Sequence, residues 1–177
     1  MRNTCDRFKS WAILIVLCTF SNVALKAQGP EKEPVLKAAF IYNFTKYIEW
    51  NGQDREIFVI GIIGNTPVYE PLDAIATTKT VGEKRIIIRK FNTPGEITDC
   101  NILFISSANT YPLSSILENT SKGTLTISES PGFARLGTAI NFVVLNDKLK
   151  FEANVKSLID EGLKASSQLL KLAIIVD

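Results

Sequence analysis

The side chains best suited to moving protons and holding transition metals are missing from this sequence, which has no histidine among its 177 residues. Imidazole is the side chain whose unperturbed pKa lies nearest neutrality, and it is the commonest nitrogen ligand for zinc. Ser–His and Cys–His nucleophilic schemes are therefore closed to the chain. No Ser-x-x-Lys occurs either, which disfavours acyl transfer of the penicillin-binding kind. GIIGNT (Gly61 to Thr66) looks like a phosphate loop, but no lysine follows Gly64 as a Walker loop requires. Two readings of it stay open: a tight turn out of a buried strand, or a small-ligand pocket beyond that strand end, where open α/β sheets often bind ligands. The nearest carboxylate groupings, Asp54/Glu56 and Asp160/Glu161, are not spaced like a calcium loop. A glycosidase-style carboxylate pair comes together only in a fold and stays an open alternative. The residues thus predict no catalytic centre, no cofactor and no metal site, and a chain that acts by binding.

The amide most in need of explanation is Asn43. From Val35 to Trp50 the apolar residues recur with helical spacing, and at about 100° per residue Leu36, Ala39, Phe40, Asn43, Phe44, Tyr47 and Trp50 share one face. Ile41 and Ile48 fall beyond the edge of that face, so the helix is expected to be covered on two sides. Asn43 then either bonds a neighbouring loop backbone or contacts a ligand or partner. Tyr47 and Trp50 suit either a core or the rim of an interface. Asn51-Gly52 ends the predicted helix.

Other elements must carry these residues. IFVIGIIG (57–64) reads as a strand buried on both faces. Pro67 opens a short helix to about Thr77, interrupted by Pro71. RIIIRKF (85–91), NILFIS (101–106) and TLTIS (124–128) are further strands, with a helix between Tyr111 and Asn119. This alternation predicts a mixed, mostly parallel sheet flanked by helices, in one compact α/β domain. TAINFVVL (138–145) and KLKFEA (148–153), joined by Asn146-Asp147, predict an antiparallel hairpin near the C-terminus. Asn154 is placed to cap a helix with Val155, Leu158 and Ile159 on its apolar face, and Gly162 to end it. Gly132 and Gly137 read as turn residues, and Ser166 or Ser167 starts a last helix through Leu169, Leu170 and Ala173.

Residues 1–27 read as an export signal: Arg2, Arg7 and Lys9 precede the apolar run Trp11 to Phe20, which is too short to span a bilayer, and Ala27 offers a cleavage point before Gln28. Leu25 is larger than the ideal residue two positions earlier, and Leu17 before Cys18 does not fit a lipid-attachment box. Residues 28–34 then form a polar lead and 35–177 the domain. The leader holds four of the 20 basic residues and one of the 18 acidic ones, which leaves 16 against 17. Nothing in that balance points to nucleic acid. Cys100 is the one cysteine beyond the leader, either a shielded core thiol or one that pairs between molecules.

The stretch LKAAFIYNFTKYIEW (36–50) resembles the opening signature of the YfiR-like family of bacterial periplasmic proteins. VIGIIG (59–64), CNILFIS (100–106), LTISESPGFARLG (125–137), INFVVLNDKLKFEANV (140–155) and GLKASSQLLKLA (162–173) follow in that family's order. The resemblance implies a compact, dimeric α/β regulator. The best-known members bind the periplasmic part of an inner-membrane diguanylate cyclase and hold it inactive, which lowers cyclic-di-GMP and biofilm formation. A sensor kinase is the alternative partner. Phe40, Asn43, Tyr47 and Trp50 match the first motif and are the expected partner-binding residues. Some relatives carry disulfides that this chain's single remaining cysteine does not allow. The rival readings are a periplasmic small-molecule-binding module that feeds a membrane sensor and, further off, a histidine-independent hydrolase.

Overall fold

The computed structural model describes residues 32–50 and 56–177. The expected leader, the start of the polar lead and the Asn51-Gly52 helix end lie outside them. In chain order the elements are α1 (Glu33–Phe44), β1 (Ile48–Trp50), β2 (Ile57–Ile63), α2 (Tyr69–Thr78), β3 (Thr80–Val81), β4 (Lys84–Phe91), a 3-10 turn (Pro94–Glu96), β5 (Ile102–Ile105), α3 (Leu113–Glu118), β6 (Leu125–Ser128), β7 (Ile140–Leu145), β8 (Lys148–Asn154), α4 (Val155–Asp160), β9 (Leu163–Ala165), α5 (Ser167–Leu172) and β10 (Ile174–Val176). One eight-stranded sheet has the order β10-β8-β7-β6-β5-β2-β4-β3, and β1 pairs with β9 in a separate ribbon. From β7 through β6, β5 and β2 to β4 every pair is parallel. The β7–β8 and β3–β4 pairs are antiparallel, while β10 joins β8 in parallel. This is the expected α/β sheet with its C-terminal hairpin.

The strands of the sheet's centre are apolar throughout because each of their two faces meets a core. Phe58, Ile60 and Ile62 of β2, with Ile102 and Phe104 of β5, point into a large core that includes Ile41 and Phe44 of α1 and Leu72 of α2. The intervening Val59, Ile63, Leu103 and Ile105 join a smaller core with Leu113 and Ile116 of α3. A period of two with both phases buried is the signature read from the sequence.

The first helix is shorter than its periodicity predicts. It stops at Phe44, the backbone turns through Thr45–Tyr47 with N–H groups bonded to the last helical carbonyls, and Ile48–Trp50 becomes a strand. Tertiary pairing overrides the helical pattern here. Ile48, Glu49 and Trp50 lie opposite Ala165, Lys164 and Leu163, and Ser166 N donates to Tyr47 O at 2.8 Å. The innermost stripe of α1 is also rotated from the expected face, to Ala38, Ile41 and Phe44. Tyr47 and Trp50, which lie outside the helix, do not belong to that stripe. Glu33 and Pro34, assigned to the lead, form the helix's first turn, where a proline costs nothing because that N–H has no helical partner. Ile159, expected on an inner face, is exposed, and Leu158 alone of its helix is buried. Among the described helices none is long and apolar enough to cross a membrane.

Candidate functional site

The five mutually parallel strands β2, β4, β5, β6 and β7 end on one side of the molecule, and polar residues follow four of them: Asn65 and Thr66 after β2, Asn92 after β4, Ser106 and Ser107 after β5, and Glu129 after β6. Such carboxyl-terminal edges are where open α/β folds collect their functional groups. α1 brings Lys37 to this edge. Its ammonium lies 2.6 Å from Glu129 Oε2 and 2.6 Å from Glu33 Oε1. Glu129 Oε1 accepts from Ser107 N at 3.0 Å and from Ser107 Oγ at 3.1 Å. Ser106 Oγ donates to Asn65 O at 2.7 Å, which ties the ends of β5 and β2 together.

Burial is the largest influence on both charges and opposes them, yet the partners outweigh it. Hydrogen bonds and Coulomb attraction from Glu129 and Glu33 raise the Lys37 pKa above its ordinary 10.5. The Lys37 bond, the Ser107 N–H and the attraction of the same ammonium hold Glu129 below its ordinary 4.5. Both groups are thereby moved away from neutrality, the opposite of what a general acid or base needs. The trio is a clasp that fixes α1 to the sheet edge. Beside it a hollow of 330 Å³ is walled by Glu33, Lys37, Glu129, Phe142, Val144 and Leu149.

A second hollow, of 370 Å³, lies beyond the ends of β2 and β4 and is lined by Gly64, Asn65, Thr66, Tyr69, Lys90 and Asn92. Gly64 makes the turn that opens it, with φ +88°, and a Cβ there would meet the Asn109 backbone at 3.0 Å. Only glycine satisfies both conditions without strain. Thr66 Oγ1 accepts from Val68 N at 3.2 Å, and the Lys90 ammonium stands 3.2 Å from the Tyr69 ring centroid. The turn read from GIIGNT is therefore present, and the hollow lies beside it. Among the described residues no group of three or more Cys, Asp or Glu side chains is placed to hold a metal ion.

The four residues of the first motif do not share a helix face. Phe40 is half-buried among Phe44, Phe142 and Phe151, with ring centroids 5.9 to 6.1 Å away. Trp50, on β1, packs edge-on against Phe58 at 5.2 Å and donates Nε1–H to Asn101 O at 3.1 Å. Tyr47 sits in the turn against the large core. Asn43 is exposed, not central to a buried stripe, and its Oδ1 accepts from Lys46 Nζ at 3.1 Å. Among the described residues its amide bonds neither a loop backbone nor a core neighbour. Sequence reasoning missed Lys37, Ser107 and Glu129. The i, i+4 spacing of Glu33 and Lys37 was a readable signal. Glu129 is 92 positions from Lys37, and nothing local announces that pairing.

Asn154 and Ser166 cap their helices as expected, accepting from Ser157 N at 2.9 Å and Leu169 N at 3.2 Å. Cys100 is buried in the smaller core, as the shielded reading had it. No curated protein matches the chain in sequence. The model of one protein family does, over residues 34–174, which covers nearly all of the described chain from the first turn of α1 to the start of β10: the chain belongs to the YfiR/HmsC-like family.

Proposed function

We propose that this protein is a periplasmic regulator that represses a membrane-bound signalling protein, of the diguanylate cyclase or sensor kinase type, by stoichiometric contact. The YfiR/HmsC-like family is one of periplasmic regulators of signalling proteins and is regulatory, not catalytic; the match over residues 34–174 is the observation that carries the reading. The ionisable cluster at the sheet edge agrees with it, because its members are locked in a clasp. Residues 1–27 serve as a cleaved export signal, and mass spectrometry of the envelope fraction is expected to find an N-terminus at Gln28. The regulator acts as a homodimer and binds the inactive receptor conformation more tightly than the active one, and an envelope stimulus weakens that binding. Of the first-motif residues, Asn43 offers its polar head to a partner, while Phe40, Tyr47 and Trp50, each packed against the large core, contribute their partly exposed surface. Gentle crosslinking followed by purification from envelopes is expected to recover a membrane sensor; recovery of none overturns the proposal.

A second reading is favoured by the hollow at Gly64, Thr66 and Lys90: a small solute sits there and its occupancy is the signal. A ligand at a hundred times its Kd would add about 2.7 kcal/mol to folding and raise Tm by roughly 5–10 °C. A thermal-shift screen of periplasmic solutes checks this, with Lys90→Ala as the variant that loses the shift.

A further inference from the structure

Among the described residues, strand β4 is paired along most of its length on one side only. Arg85 to Phe91 lie in register with Ile57 to Ile63 of β2. On the outer side β3 reaches no further than Lys84 and Arg85. Among the described residues no strand flanks Ile86 to Phe91, so alternate N–H and C=O groups of that stretch face outward without a ladder. Six residues is the length of an ordinary strand.

Helix α2 stands over this edge. Tyr69, Asp73, Ala76 and Thr77 follow the i, i+4, i+7, i+8 spacing of one helical face. Tyr69 lines the 370 Å³ hollow with Lys90 and Asn92. The other three line one of 530 Å³ with residues Arg85 to Ile88. The larger hollow thus runs along Arg85 to Ile88 with α2 as its other wall, and the smaller continues past Lys90 to the ends of β4 and β2. Ile87 and Ile88 are only half-buried between them.

Proteins protect such edges with charge, and here the charge has one sign. Half of β4 is cationic, at Lys84, Arg85, Arg89 and Lys90, and Lys79 stands at the end of α2. Asp73, Glu83 and Glu96 are the acids nearby, and Glu96 already accepts from Asn92. A second copy of this edge would set lysine and arginine against their own kind, and like charges directly opposite destabilise a strand pair. A complementary segment would be extended, acidic at alternate positions and apolar between them.

We propose that the outer edge of β4, Ile86 to Phe91, receives an extended acidic segment of a partner protein by strand addition. Main-chain hydrogen bonds to the edge hold the segment, and Arg85, Arg89 and Lys90 select its charge. The identity of the partner rests on the regulatory reading above; the binding itself does not.

The probe is a fluorescent eight-residue peptide of alternating glutamate and valine, titrated into the purified protein and followed by anisotropy and amide hydrogen exchange. Binding is expected with new protection at Ile86–Phe91, lost when every second peptide amide is N-methylated and absent for the lysine–valine peptide. The double variant Arg89→Glu, Lys90→Glu changes exposed side chains, and about tenfold weaker binding is expected of it. No binding, binding indifferent to N-methylation, or protection elsewhere overturns the proposal. So does protection of Ile86–Phe91 that grows with protein concentration alone, because a second copy then occupies the edge. Envelope crosslinking with the double variant separates the two proposals. If wild type and variant recover the same sensor, the regulator stands and this surface falls. If neither recovers one while the peptide binds, the surface stands and the regulator falls.

Discussion

Lys37 and Glu129 show how a charge can be fixed by its surroundings. The Glu129 pKa is depressed in the fold, so its contribution to stability is complete above the ordinary value of 4.5 and is lost as pH falls through the folded value. Lys37 is raised, so its contribution is complete below 10.5 and is lost as pH climbs through its folded value. Glu129→Gln leaves the ammonium with only Glu33 and is expected to cost about 2 kcal/mol at pH 7. Urea unfolding of both proteins from pH 7 to pH 3 checks this, because the difference is expected to shrink below pH 4.5. Gly61 makes a steric point: a Cβ there would lie 2.7 Å from the Phe91 ring, 3.2 Å from Leu103 and 3.3 Å from Cys100. Gly61→Ala is expected to lower stability by about 1–3 kcal/mol, since an overpacked core responds by shifting side chains and backbone. In the sequence Gly61 stands within a buried strand and opens the GIIGNT stretch, with no sign of a steric role. The close approach of Phe91 is a property of the β2–β4 pairing and has no local trace.

Among the elements, those legible in advance were the ones whose signal is local. β2, β5 and β6 are apolar runs bounded by turn residues, and the β7–β8 hairpin announces itself through Asn146-Asp147. Both turn residues have left-handed backbones, at φ 51° and 57°, as a two-residue hairpin loop demands. Asp147→Gly removes the strain of a Cβ in that region and is expected to raise stability by roughly 0.5–1 kcal/mol, measurable as a higher Tm at unchanged fold. β1, β9 and β10 were not legible. Each has three residues, too few to establish an alternation, and Ile48 and Trp50 satisfy a helical period as well as a strand period. What decides between the two is a partner more than a hundred positions away, at Leu163–Ala165. The clasp was half legible for the same reason: Glu33 and Lys37 are neighbours on a helix, whereas Glu129 arrives by the fold. β3 is shorter still, and its brevity leaves the β4 edge open.

At the scale of the whole molecule the order of the central strands follows from short, right-handed crossovers, but the membership of the outer strands does not. The sheet is closed on one side by β10, and the small ribbon by β9, both drawn from the last fifteen residues of the chain. Removing residues 163–177 is expected to leave no cooperative unfolding transition by circular dichroism, since Ile48, Trp50 and the β8 edge would lose their partners together. A folded truncation would refute this. The ribbon of β1 and β9 has a temporal meaning too. A polypeptide that threads through a translocation pore must stay unfolded while in transit, and contacts distant in sequence are the slowest to form. Because the segment just after the first helix waits for a strand more than a hundred positions further along, that part of the chain cannot lock its fold early. Under the export proposed above, late closure of this ribbon would keep that part of the chain soft enough to pass through.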